Sequence, residues 1–300
     1  MHLIIEPPTW LGDATMASGA IKKLINYTKP TKVTLFGSYV SIALFPEYEA
    51  IIDKKDKRLK NFFNLPKADM FVSFRRSFYS KLLAFKYKGY TLKKSGKGHL
   101  AKQYNEFIDF VLKQELPEFK PALSFEPKRY KTTTVGINPG AAFGAAKRWY
   151  PQEFAKVANA LDANIIIFGG PGEEAMAKEI EDNLKVKNHT NLCGKLTIKE
   201  LCEHLAGLDL LVTNDSGPMH IAASYGVKSV AVIGPTSYKH TYPYNTEYKI
   251  VTKNLSCAPC QKRVCPIKTH ECMKEIKAKD VIKAIESLSP ELVKKENSAN

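Results

Sequence analysis

Four segments of this 300-residue chain bring together residues whose types and spacing could do chemistry. The most informative is Thr213-Asn214-Asp215-Ser216-Gly217-Pro218-Met219-His220. Pro218 suits the first turn of a helix, whose unpaired N–H groups point back at the residues before it. With Ser216 and Gly217 in front, such a start is a ready site for a diphosphate. Asp215 would repel a phosphate, so it is expected to orient loop amides or to meet a sugar. His220 offers a contact to a phosphate or a sugar hydroxyl, although a lone helical histidine is more often structural.

The second segment runs Asn138-Pro139-Gly140-Ala141-Ala142-Phe143-Gly144-Ala145-Ala146-Lys147-Arg148-Trp149. Its small residues, Gly140 and Ala142 beside Phe143 among them, let the backbone approach a bulky anion. Lys147 supplies charge for a phosphate, and Arg148 either braces it or pairs with an acid. Neither GxGxxG nor the P-loop pattern is present. In the third segment, Phe168-Gly169-Gly170-Pro171-Gly172-Glu173-Glu174, a carboxylate after a glycine turn suits ribose hydroxyls. The alternative is an acid complementing a helix start.

The fourth segment, Pro7-Pro8-Thr9-Trp10-Leu11-Gly12-Asp13, ends in a carboxylate where a helix begins. Spacing alone favours Asp13 as a cap accepting backbone N–H bonds. The other reading is a general base, which an inverting sugar transfer needs for the acceptor hydroxyl's proton. No two aspartates lie two positions apart, so no DxD pair is available to hold a divalent metal. Amides and Lys147 are then expected to stabilise the diphosphate. Cys257, Cys260, Cys265 and Cys272 fall near the C-terminus. Their spacing fits a zinc or iron–sulfur site or four unligated thiols, and a structural role if anything is bound.

The elements that must position these loops alternate short β-branched runs with helical stretches, the pattern of parallel sheets with crossover helices. HLIIE, KVTLFG, EAIID and ADMFVSF read as strands, separated by helices over 14–26, 38–45, 56–63 and 77–87. TTTVGIN, NIIIFG, DLLVTN and KSVAVIG repeat the pattern, and Thr197 with Glu200 marks a capping-box helix start. Pro117, Pro121 and Pro127 interrupt the region between the two halves, which places a linker at 118–131. The expected organisation is residues 1–130, residues 131–275, and a C-terminal helix and polar tail over 276–300. Both large domains read as doubly wound α/β, with ligands in the cleft between them at the carboxyl ends of the strands.

The N-terminus has only a short apolar run and no basic stretch before it, and no run of about 18 apolar residues occurs. A soluble cytoplasmic protein is therefore expected. The charge is uneven. Residues 1–130 carry 23 Lys+Arg against 12 Asp+Glu, and residues 131–300 carry 22 against 18. Residues 51–102 hold 15 basic and 3 acidic side chains, which suits an anionic partner or a solvated basic surface. They show no RNP, helix-turn-helix or zinc-finger pattern, so a nucleic-acid-binding protein is the less favoured class.

Taken together, the segments 10–13, 139–149 and 213–220 resemble glycosyltransferase family 9, the bacterial heptosyltransferases, with continuous similarity from about Val135 to Thr236. The resemblance implies a GT-B fold, with the acceptor on the N-terminal domain and ADP-heptose on the C-terminal one. It implies an inverting, metal-independent transfer that requires no cofactor. Asp13 matches the family's base, and Lys147 matches a diphosphate contact. Asp215, Ser216, Gly217 and His220 match the donor loop, Glu173 or Glu174 the ribose-binding acid, and Leu196 the adenine-packing position. The implied acceptor is the anionic Kdo-containing inner core of lipopolysaccharide on lipid A, at the inner-membrane surface. Arg75, Arg76, Lys93 and Lys94 are the candidate acceptor contacts. Two departures bear on acceptor or loop shape: the chain is short for the family, and Tyr150 is inserted between Trp149 and Pro151. A transferase of the same fold using another nucleotide sugar is the alternative.

Overall fold

The protein is described by a computed structural model covering residues 1–93 and 96–294. It divides into two compact units, Met1–Ser124 and a second that begins at Phe125. Each has its own sheet, and no strand is shared.

The first unit runs β1 (His2–Glu6), α1 (Leu11–Thr28), β2 (Lys32–Gly37), α2 (Tyr39–Ile42), β3 (Glu49–Ile52), α3 (Arg58–Asn64), β4 (Met70–Ser73), α4 (Phe78–Lys86), β5 (Tyr90–Thr91) and α5 (Leu100–Leu112). Its sheet has the order β3-β2-β1-β4-β5, with every pairing parallel. Leu3, Ile4 and Ile5 are all fully buried, as a central strand covered on both faces requires. α1 lays small residues such as Ala17 and Ala20 against the rest of the unit. Gly19 lets Phe119 cross it: a Cβ there would stand 2.1 Å from the Phe119 carbonyl oxygen. Lys23 is fully buried on α1. Its ammonium is held by Asp109 of α5 at 2.6 Å and by the Leu116 carbonyl at 3.0 Å, the pairing a buried charge needs.

The second unit continues β6 (Thr134–Asn138), α6 (Pro151–Asn159), β7 (Asn164–Ile167), α7 (Glu174–Asp182), β8 (His189–Asn191), α8 (Ile198–Ala206), β9 (Leu210–Asn214), α9 (Gly217–Ser224), β10 (Lys228–Val232), β11 (Tyr248–Val251), α10 (Glu271–Lys274) and α11 (Ala278–Glu286). Its sheet is parallel, in the order β11-β10-β9-β6-β7-β8. Read from β8, this is the 3-2-1-4-5-6 order of a dinucleotide-binding fold. The chain winds outward from β6 one way and from β9 the other. The switch point lies between β6 and β9; in the first unit it lies between β1 and β4.

The expected capping box closes the start of α8: Thr197 Oγ1 accepts from Glu200 N, and the Glu200 carboxylate accepts from Thr197 N at 2.8 Å. α11 presses Val281 and Ile285 into the core that also holds Trp149 and Phe154. Among the described residues, no helix is long and apolar enough to cross a membrane.

Candidate active site

Two of the four segments meet at the switch point of the second sheet. Asn138 ends β6 and Asn214 ends β9, and Asn138 pairs in register with Thr213. The Asn138 amide donates to Ser216 Oγ at 3.0 Å and to Thr213 Oγ1 at 3.2 Å. Asn214 donates to the Pro139 carbonyl at 2.6 Å and accepts from Trp149 N at 3.2 Å. Two strand-end amides thus stitch the loop after β6 to the loop after β9. Both lie in the expected segments but were given no role there, because an asparagine at a strand end reads as an ordinary stop signal.

Above this seam Lys147 reaches across. Its ammonium lies 2.6 Å from Asp215 Oδ2 and 4.8 Å from the centre of the Phe143 ring. Asp215 Oδ2 also accepts from the Thr236 hydroxyl at 2.6 Å. The Asp215 carboxylate thus holds Lys147 and Thr236, two contacts that stand beside the expected roles of orienting loop amides or meeting a sugar. Ser216 is the N-cap residue of α9 and makes no side-chain cap bond, and Gly217 and Pro218 form the first helical turn. His220 is buried on this helix.

The small residues of 139–149 have a different use from the expected one. A Cβ on Gly140 would meet the Glu173 carboxylate at 1.9 Å, and one on Gly144 would meet the Arg263 carbonyl oxygen at 2.4 Å. Glycine at these positions makes room for protein groups. Ala142 is exposed. Glu173 accepts from Gly170 N at 2.8 Å and lies 3.7 Å from Arg148, so Arg148 has the acid partner that was one of its two readings. Glu174 accepts from Gly172 N and packs instead against Gly194. Cys193 lies beneath both acids, and its thiol is pushed up to about 11 by burial first and by the two carboxylates second. Leu196 is half-buried just before α8.

The cysteine segment braces this loop. Ala146 N donates to the Arg263 carbonyl at 3.0 Å, and the Arg263 guanidinium stands 5.2 Å from the Phe143 ring centre. His270 bridges the Ala146 carbonyl at 2.9 Å and the Tyr150 hydroxyl at 3.1 Å. Trp149, almost fully buried, donates its indole N–H to Ile276 O at 3.0 Å. Cys257, Cys260, Cys265 and Cys272 line one cavity of about 20 Å³, space for about one water. None of the four is joined in a disulfide. Backbone N–H groups, His270 foremost, hold Cys265 below the usual thiol range, and burial pushes Cys272 up to about 11. Among the described residues, no group of three or more His, Cys, Asp or Glu side chains is placed to hold a metal ion.

In the first unit, Asp13 is the third residue of α1; the N-cap position belongs to Trp10, which makes no side-chain cap bond. Asp13 therefore stands in the first turn of the helix and not at the N-cap position. Tyr104 of α5 is buried, and its phenol is pushed well up by burial first and by the Asp13 charge second. At the switch point of this sheet Arg75 is nearly buried, 3.2 Å from both Glu6 and Asp53, and donates through Nε to the Pro7 carbonyl at 2.8 Å. Glu6 also accepts from Ser73 Oγ, and burial outweighs these partners in pushing its carboxyl above the usual range. Arg76 and Lys93 are exposed, with Lys93 over the Phe110 ring at 4.3 Å. Lys94 lies outside the described residues.

A pair of doubly wound parallel sheets, one carrying a lysine beside a helix N-terminus at its switch point, is the architecture of a GT-B glycosyltransferase. Solved structures share it. An Escherichia coli ADP-heptose lipopolysaccharide heptosyltransferase II superposes with a TM-score of 0.79, at 20% identity, covering 96% of this chain and 98% of that one. An E. coli heptosyltransferase solved with ADP gives 0.72 at 15% identity, covering 96% and 99%. The family model for glycosyltransferase family 9 (heptosyltransferase) matches residues 66–270. A lipooligosaccharide heptosyltransferase 2 of Campylobacter jejuni is 40% identical, over 96% of this chain and 99% of its own. The chain belongs to glycosyltransferase family 9 and is a heptosyltransferase.

Proposed function

We propose that this enzyme transfers heptose from ADP-heptose to the inner core of lipopolysaccharide or lipooligosaccharide, with inversion and without a metal. The observation that carries the donor assignment is the Lys147 ammonium, poised with Asp215 beside the start of α9 at the switch point. In open parallel sheets this is where nucleotides bind. The diphosphate takes Lys147 and the N–H groups of Ser216 and Gly217, while Asp215 turns toward the sugar. Glu173 takes the ribose, because its contacts with Gly140 and Arg148 bring it to the donor loop. Leu196 packs on the adenine, and His220 supports the phosphate end.

The acceptor hydroxyl attacks the anomeric carbon and gives its proton to Asp13. The bond from that carbon to the phosphate oxygen breaks, and ADP leaves. Lys147 neutralises the charge that develops on the leaving phosphate, a fixed electrostatic device that needs no metal. The start of α1 favours a carboxylate at Asp13. Arg76, Lys93 and Lys94 receive the anionic acceptor; Arg75 acts from beneath, by fixing the loop after β1.

The test is transfer from ADP-heptose to defined core acceptors bearing zero, one or two heptoses, in the presence of EDTA. Product should form on the acceptor with one heptose. Asp13→Asn should lower turnover by about 10²–10⁴-fold and leave ADP affinity nearly unchanged. Near-normal turnover by that variant removes Asp13 as the base, and loss of activity in EDTA removes metal independence. Stronger binding of GDP or UDP than of ADP overturns the donor.

A further inference from the structure

α3 and α4 lie side by side on the first unit. The Tyr79 hydroxyl donates to the Arg58 carbonyl at 2.8 Å, and Lys86 lies over the Phe62 ring at 4.8 Å. Leu83 of α4 and the residues that end the two helices, Leu65 and Tyr87, belong to one core cluster, and Phe62 of α3 packs against it. Their outer faces are apolar as well, which a water-facing helix pair does not need. On α4, Phe78 is 83% exposed and Phe85 is 85% exposed, with Leu82 between them at helical spacing. On α3, Leu59 is 75% exposed and Phe63 is 70% exposed, one turn apart. Scattered single apolar residues are normal on a surface; five on two adjacent helices mark a place of contact.

The surrounding charge is predominantly positive, although exposed Asp56 precedes α3. Neither helix contains an acidic residue, and residues 57–93 hold ten Lys and Arg against Asp69 alone. Lys60 and Lys81 are exposed on the same two helices. A recess of about 650 Å³ beside α4 is lined by Lys81, Phe85, Lys86 and Lys88. Apolar side chains within a lysine rim are what an anionic lipid surface takes: the rings enter the acyl boundary, and the ammonium groups meet the headgroup phosphates. A second copy of this chain would bring like charges together. Leucines among the rings are poor platforms for stacked bases, which argues against nucleic acid.

We propose that the outer faces of α3 and α4, with Phe63, Phe78 and Phe85 at their centre and Lys60 and Lys81 at their edge, dock the enzyme on an anionic phospholipid bilayer. This surface does not rest on the donor or base assignments, since binding to a bilayer needs neither. It goes with a lipid-borne acceptor, to which a docked enzyme would be held close.

Flotation of the full chain with vesicles free of lipopolysaccharide tests it. One set is phosphatidylethanolamine alone, and the other contains phosphatidylglycerol as well. The wild-type protein should float with the second set and much less with the first, and added salt should weaken it. Lys81→Gln should lower the partition about fivefold. Phe63→Ser/Phe85→Ser should lower it about tenfold or more, with ADP binding retained as evidence of a folded chain. If that pair fails to fold, Lys60→Gln/Lys81→Gln serves in its place, with a loss of about twentyfold expected. Absence of wild-type flotation, or flotation of the folded variants equal to wild type, overturns the proposal. A wild-type dimer that Phe63→Ser/Phe85→Ser converts to monomer also overturns it, because the face is then covered by a second copy.

Discussion

Lys147 is held by the residue a phosphate would displace. With Asp215 at 2.6 Å and the two side chains mostly buried, the ammonium is already desolvated and aimed before any donor arrives. Placing it costs little at the moment of binding, and the Thr236 hydroxyl keeps a partner on Asp215 if Lys147 turns to the phosphate. Lys147→Ala removes a charge-assisted contact and leaves Asp215 without its cation. ADP should therefore bind about tenfold or more weaker by calorimetry, and turnover should fall further, because charge on the leaving phosphate grows in the transition state. Unchanged ADP affinity in the variant would place the diphosphate elsewhere. Arginine is a poor substitute here, since its planar fork does not fit a pocket shaped around one nitrogen between Asp215 and Phe143.

At the scale of elements, the central strands were legible because parallel strands buried on both faces read as continuous apolar runs. β1, β2, β6, β9 and β10 lie within the expected segments. The edges were not. β5 has two residues, and β8 is His189-Thr190-Asn191, so neither offers a hydrophobic pattern. α5 was left out although Leu100, Tyr104, Phe107, Ile108 and Val111 repeat at helical spacing, and it covers α1. The loops were legible by composition, whereas the reason for their glycines was not: what fills the space beside Gly140 comes from Glu173, 33 positions away. Gly19 illustrates the same point within a helix. Propensity alone predicts that Gly19→Ala gains about 1 kcal/mol. The added methyl would stand 2.1 Å from the Phe119 carbonyl and 2.6 Å from that of Lys120, and backbone cannot swing aside as a side chain can. Overpacking of this kind costs about 1–3 kcal/mol, so a net loss of stability is expected in urea melts. A stabilised variant would mean that the segment over α1 yields easily.

For the whole molecule, the division of labour follows the division of the sheets. Every residue assigned to the donor lies beyond Phe125, and so do the groups that brace them: Arg263, His270 and Ile276 under the loop after β6, and Thr236 beside Asp215. Asp13, the Arg75 ion pairs and the lysine-rimmed helices all belong to the first unit, where the excess of positive charge also sits. The start of the second unit is tied to its own body, since Phe125 N donates to the Tyr225 hydroxyl and Lys128 N to the Glu203 carbonyl. A chain beginning at Phe125 therefore keeps a complete six-stranded sheet with its core and the bonds that hold the loops after β6 and β9. It should fold alone and bind ADP within about threefold of the full chain, a difference of less than 1 kcal/mol. It should transfer nothing, because Asp13, the proposed base, is missing. Calorimetry on the folded fragment decides the matter: a folded fragment that does not bind ADP would show that the first unit supplies part of the donor site, and the assignment of the diphosphate to Lys147 and α9 would then be incomplete.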